Sequence, residues 1–243
     1  MISSSEVRQT SEEELIRQLR LHLDRPVPGS GMSRLIGSLL PESLRPQVRV
    51  WATHMMEPAQ RSVARRLSKN APVKLNIGCG TLRMDGWVNI DLVGLPVDLA
   101  WDIRRTLPFV DDSVDVIFHE HVMEHVCAYD GFMMAKDSYR MLKPGGVLRI
   151  VMPDANRYIR SYVNPTSSDS ILREGRLTPM IALTEEFYGF NHRAMYDYET
   201  VELFLRTAGF TKVESTSFGK SRIDPCPDCE ERICDSFYTE AVK

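Results

Sequence analysis

The densest run of ionisable side chains in the 243-residue sequence is His119-Glu120-His121-Val122-Met123-Glu124-His125. Three chemistries suit such a run. His121-x-x-Glu124-His125 has the residue types and order of an inverted zinc-hydrolase pattern, in which two histidines on one helix face hold a cation. An imidazole that titrates near neutral pH can instead accept a proton from a hydroxyl while that oxygen attacks an electrophile. Glu124 and His125 can also simply brace a helix end by hydrogen bonding. The pattern sits directly behind a strand-like run rather than inside a long helix, and no distal third ligand is apparent in the sequence, so no metal is expected. His121 is read as facing a substrate.

A second cluster lies further along, where Tyr188-Gly-Phe-Asn-His-Arg193 is flanked by Tyr196 and Tyr198. Hydrogen-bond donors, acceptors and flat ring faces in one place suit a sugar or another polyol, and His192 is a candidate base or substrate ligand. The alternative is a covering loop with surface polar residues. Cys226-Pro-Asp-Cys229 with Cys234 has the look of part of a zinc knuckle, but a structural site needs four ligands and no fourth cysteine is near. Five cysteines cannot all pair within one chain, which points to a reducing compartment.

The elements that must position these groups fall into two regions. Residues 1–70 read as a helical extension. Ser11 with Glu14 forms a capping box, Leu15, Ile16, Leu19 and Leu23 line one helical face, and Pro26 and Pro28 end it. A second helical stretch runs from about Glu42 to Leu67 with interruptions near Pro46 and Pro58. Its Trp51, Met55 and Met56 are expected to pack onto the main domain.

From residue 71 to 243 short apolar runs alternate with helical patterns, as in a sheet with crossover connections. Strands are expected at Val73 to Ile77, Trp87 to Asp91, Pro96 to Ala100, Val114 to His119, Val147 to Met152, Thr211 to Thr216 and near Ser236 to Val242. Helices are expected at Gly131 to Leu142 and Thr200 to Ala208. The stretch 154–197 exceeds what one crossover needs, and a long irregular insertion of that kind tends to cover a substrate.

At the end of the first strand, Lys74-Leu-Asn-Ile-Gly-Cys-Gly80 places two glycines where the backbone must turn tightly and approach a ligand closely. The second strand, Trp87-Val-Asn-Ile-Asp91, ends in a carboxylate where open α/β sheets bind ribose hydroxyls. Leu82 stands where a dinucleotide fold often has its third glycine, and no Gly-Lys-Ser/Thr follows to hold a triphosphate. A nucleoside ligand without phosphate fits this end of the sheet.

Taken in order, Leu-Asn-Ile-Gly-Cys-Gly, Asn-Ile-Asp, Leu107-Pro-Phe-x-Asp-Asp-Ser-Val-Asp-Val-Ile and Leu142-Lys-Pro-Gly-Gly-Val-Leu resemble the motifs of class I S-adenosylmethionine-dependent methyltransferases over about Lys74 to Val242. The resemblance implies a Rossmann-like α/β fold, a mostly parallel seven-stranded sheet with helices on both faces, and S-adenosyl-L-methionine as cofactor. By position it implies that Gly78, Cys79 and Gly80 wrap the methionine part, that Asp91 with Leu92 holds the ribose, and that Asp102 and Ile103 flank the adenine. His119 and Glu120 would face the methionyl side and the substrate. Asn76 stands where many members carry an acidic residue in the first strand. The catalytic candidates are then His121, His192 and Glu120.

The expected reaction is O-methylation of a sugar or polysaccharide-precursor hydroxyl. Competing readings are methylation of another small metabolite or a lipid head group, a cofactor-binding partner subunit without chemistry of its own, and a nicotinamide-dependent oxidoreductase. A net charge of −3 offers no basic field for nucleic acid. No run approaches the roughly 20 apolar residues of a membrane span, so a cytoplasmic protein acting on a small-molecule or saccharide acceptor is expected. Self-association into a homo-oligomer is compatible with the composition.

Overall fold

The computed structural model describes residues 44–69, 72–94 and 96–243. The capping box at Ser11 and the helix expected behind it lie outside the described residues. Seven strands form one sheet in the order β3-β2-β1-β4-β5-β7-β6. They are β1 (Lys74–Ile77), β2 (Val88–Asp91), β3 (Leu99–Ala100), β4 (Val114–Glu120), β5 (Leu142–Pro153), β6 (Lys212–Thr216) and β7 (Ser236–Val242). β1 to β5 run parallel, while β7 lies antiparallel between β5 and β6, so the sheet is mixed at one edge.

The order reverses between β1 and β4. In an open α/β sheet that reversal leaves a crevice at the carboxyl ends of the two strands, which is where ligands bind. Gly78 and the histidine-rich run both sit at this place.

The two faces of the sheet differ. Leu75, Ile77, Ile90, Ile117, Leu148 and Ile150 project from one side into the main core, all nearly inaccessible to water. Helices α2 (Ala128–Met141) and α5 (Tyr198–Ala208) pack against each other over the main core. The opposite side carries a smaller cluster of Phe118, Val151 and Tyr238, against which the loop residues Met84, Trp87 and Phe218 pack.

Helix α1 (Arg45–Leu67) is one continuous element. The interruptions expected at its prolines do not occur. Pro46 occupies the first turn, where its missing N–H costs nothing, and Pro58 is accommodated inside the helix. Trp51 and Met55 are each 65% exposed, so they do not pack onto the domain as expected. The C-terminal turns of α1 pack on the main core through Val63, Ala64 and Leu67, and its other contacts are polar. Arg49 donates to the carbonyls of Leu92 and Val93, the Thr53 hydroxyl accepts from Val93 N–H, and Gln60 accepts from Ala100 N–H.

The 154–197 stretch is more ordered than its composition suggests. It contains α3 (Ala155–Val163) and α4 (Pro179–Tyr188), which pack on each other. Asp154 caps the first through Arg157 N–H, and Thr178 caps the second through Ile181 N–H. Among the described residues no helix is long and apolar enough to cross a membrane.

Candidate active site

At the end of β1 the chain turns through Gly78 at φ +67°. Its N–H and that of Cys79 both donate to the Ile90 carbonyl, at 2.8 and 3.1 Å, which ties the turn to β2. A Cβ on Gly78 would stand 2.5 Å from a Val122 methyl, so glycine is required there by conformation and by space. Gly80, at φ +53°, has nothing within 4 Å of where a Cβ would be, and it borders open space. Asn76, fully buried below the turn, donates to the Leu82 carbonyl and to Asn89 Oδ1, each at 3.0 Å. Its amide nitrogen therefore shapes the loop from beneath. Cys79 is buried, and burial, reinforced by the nearby Asp91 charge, pushes its thiol up to about 12.

Asp91 ends β2 with its carboxylate held by two backbone donors: Gly80 N–H at 2.9 Å and Leu92 N–H at 2.6 Å. Arg49 of α1 stands 3.7 Å away as a cationic neighbour. The glycine turn and the ribose candidate are thus one hydrogen-bonded unit. Asp102 is buried beyond β3, and Arg104 and His54 both bond its side chain, the latter at 2.9 Å. Burial works to raise this carboxyl, but those bonds outweigh it and hold its pKa below the usual range. Ile103 beside it packs on the main core. Arg49, His54 and Arg104 were not found from sequence, because nothing in their local pattern says which loop they will meet.

The end of β4 carries the other group. His119 is buried on the main-core side of the strand, and burial lowers its pKa to about 4, so it is neutral at physiological pH. Glu120 accepts from Cys229 N–H at 3.3 Å. Burial raises it to about 7 against the opposing pull of that bond. His121 lies at φ +51°, and its backbone N–H donates to the Val151 carbonyl at 2.9 Å. Its Nε2 is 2.8 Å from the Ser236 hydroxyl. Burial, followed by the charges of Arg232, His192 and His125, lowers His121 to about 3. An imidazole with so little proton affinity is a poor acceptor at neutral pH.

The chain then makes a single 3-10 turn, Met123–His125. Glu124 points inward from it and is 2% exposed. Its Oε1 lies 3.6 Å from His121 Nδ1 and 3.9 Å from His125 Nε2. Arg193 and Ala194 N–H both donate to the Glu124 carbonyl, at 2.6 and 3.2 Å. Those two bonds draw the 154–197 stretch onto the end of β4 and place His192 edge-on to His125, with ring centroids 4.9 Å apart. His192 also stacks on Phe190 at 5.6 Å. The structure therefore gathers His121, Glu124, His125 and His192 into one cluster. Glu120 turns instead toward the loop of Cys229.

None of the five cysteines forms a disulfide. Asp228, between Cys226 and Cys229, is drawn away to Arg149.

Residues 49–150 match the family model described as a methyltransferase domain. No curated protein sequence matches. Among solved structures, an S-adenosylmethionine-dependent methyltransferase from Archaeoglobus fulgidus aligns at 17% identity, with 80% of this chain and 94% of that one covered and a TM-score of 0.47. One from Aquifex aeolicus aligns at 15% identity over 86% and 97%, with a TM-score of 0.41. Phosphoethanolamine N-methyltransferase 2 of Haemonchus contortus, in complex with S-adenosyl-L-methionine, aligns at 14% identity over 76% and 52%, with a TM-score of 0.44. The matched segment runs from Arg49 of α1 to Ile150 of β5 and so takes in the glycine turn, the Asp91 carboxylate and the reversal of strand order between β1 and β4. These elements all fall within a segment that is similar to a methyltransferase domain.

Proposed function

We propose that the chain is a class I S-adenosylmethionine-dependent methyltransferase and that it transfers the methyl group to a hydroxyl of a sugar or polysaccharide precursor. The observation that carries the reading is the pair of backbone bonds from Arg193 and Ala194 to Glu124. Through them a segment that carries Tyr188, Asn191 and His192 is held over the carboxyl end of β4, while Tyr196, expected beside them, is buried in the main core. Side chains of that kind supply the directional donors and acceptors and the flat faces that polyols need.

In this reading Gly78, Cys79 and Gly80 let the backbone approach the methionyl part, Asp91 with Leu92 holds the ribose, and Asp102 with Ile103 borders the adenine. Asn76 supports the loop from below. The sulfonium makes its methyl carbon electrophilic, so the chain's main tasks are to align the incoming oxygen and exclude water. His119, neutral and buried, forms part of the water-excluding wall. The oxygen must also lose a proton, which a suitably placed base accelerates roughly 10²–10⁴-fold. Glu120, raised by burial to about 7, has the proton affinity for this task; His121, lowered to about 3, does not. His192 is assigned to acceptor binding.

The test supplies radiolabelled S-adenosylmethionine with saccharide extracts and identifies the labelled product by mass spectrometry. Label on a saccharide hydroxyl is expected. Label found on amines or lipid head groups, with saccharides unlabelled, would overturn the assignment.

A further inference from the structure

The Glu124 carboxylate has no place in the proposed methyl transfer. Both of its oxygens are buried without a hydrogen-bond partner among the described residues. A carboxylate removed from water and left without a donor or a cation is costly, and native proteins rarely keep one without a reason. Two imidazoles stand beside it. Glu124, His125 and His192 each offer one ligand atom, and these atoms all lie within 4.8 Å of one another.

We infer that Glu124, His125 and His192 form a binding site for a divalent transition-metal ion such as Zn²⁺. Two imidazole nitrogens and one carboxylate oxygen are a ligand set that zinc takes when it keeps a fourth position open. Donors around a tetrahedral zinc with bonds of about 2.0–2.1 Å stand about 3.4 Å apart. The three atoms must therefore draw together by up to about 1.4 Å. His125, with 43% of its side chain exposed, has room for that rotation. The carboxylate lies inside and His125 faces solvent, so the open position is reachable from outside. His121 completes the surroundings. Ser236 anchors its Nε2 and turns Nδ1 toward Glu124 Oε1, the outer-partner arrangement that fixes a ligand's orientation.

The sequence pattern His121-x-x-Glu124-His125 lacks a third ligand only when it is read along the chain. The Arg193 and Ala194 bonds bring one from 67 residues beyond His125. Binding of the ion does not depend on the acceptor assigned above. Its use, gripping an acceptor oxygen next to the transferred methyl, does rest on that assignment.

The test takes the full chain, strips it with a chelator, and titrates it with Zn²⁺ by calorimetry and with Co²⁺ by visible absorption. One equivalent of each is expected, and the cobalt spectrum should lack the thiolate charge-transfer band. His192→Ala and Glu124→Gln should each weaken Zn²⁺ binding by about 100-fold or more, and His121→Ala by about 10-fold. Asp91→Asn and the double variant Cys226→Ser/Cys229→Ser should leave it unchanged. Failure of the wild-type chain to bind would overturn the site. So would unaltered affinity in folded Glu124→Gln and His192→Gln, or a thiolate band that disappears with the two cysteines. Zinc binding with no saccharide product would overturn only the acceptor.

Discussion

Two buried ionisable groups, one on β5 and one on the turn after β4, make opposite use of the same low-dielectric surroundings. Arg149 on β5 is completely inaccessible, yet its guanidinium is fully engaged. It reaches both oxygens of Asp228 at 2.9 and 2.5 Å, the Thr216 hydroxyl, and the carbonyls of Lys220 and Ser217. Its plane lies over the Tyr238 ring. Glu240 completes the group and is itself bound by Ser221 and Arg222. That network fastens the 217–228 loop over the otherwise helix-poor side of the sheet. Glu124 is just as dry and has none of this. Burial raises it to about 8, against a weaker opposing pull from its own backbone N–H and the Arg232 charge. A charge satisfied on every side serves the fold, whereas one the fold leaves unserved marks a place where a ligand completes the structure.

The contrast is broken most directly at Arg149. Arg149→Met should cost about 3–5 kcal/mol of stability, because Asp228 and Glu240 are then left buried without their cation. Chemical denaturation measures this, and a loss under 1 kcal/mol would show that the network is not structural. Asp91 stands between the extremes, bound by two backbone donors but bordering the open space beside Gly80. Asp91→Ala should weaken S-adenosylhomocysteine binding by roughly 100-fold, about 2.7 kcal/mol, in a calorimetric titration. Unchanged affinity would remove the ribose assignment.

Gly78→Ala asks whether the backbone here is as constrained as the charges. Strain at positive φ and the clash with Val122 should together cost about 1–3 kcal/mol, seen as a lower melting temperature. Glu124→Gln should change stability of the metal-stripped chain by less than about 1 kcal/mol at neutral pH, since it removes no hydrogen bond and the acid, raised to about 8, is already mostly uncharged. A loss as large as that of Arg149→Met would make the two sites alike and end the comparison.

Much of this arrangement was legible in the residues. Alternating apolar runs located all seven strands because burial on one or both faces imposes their composition. Gly78, Gly80 and Asp91 announced themselves because a tight turn and a strand-end carboxylate depend on local chain order. The rest depends on which distant segments meet. Arg49, Thr53 and His54 lie on a helix whose outward face carries Trp51 and Met55, so apolar content misdirected the packing expected of it. Pro58 reads as a break, yet the helix absorbs it. The partnership of His192 with Glu124 rests on two backbone N–H groups, which carry no side-chain signature at all.

The polar stitching of α1 has a kinetic side. The N-terminal part of the helix, joined to the sheet's loops chiefly through Arg49, Thr53 and His54 and lacking the core anchors Val63, Ala64 and Leu67, is held by bonds that water can replace one at a time. It should come away at a lower free energy than any strand. Because those bonds grip the loops of Asp91 and Asp102, each such departure loosens two walls of the crevice proposed for the nucleoside together. Amide exchange should therefore be faster along 45–57 than in β4, and occupancy by S-adenosylhomocysteine should slow it. The residence time of the spent cofactor would then be set by the fraying of a helix that stands outside the sheet.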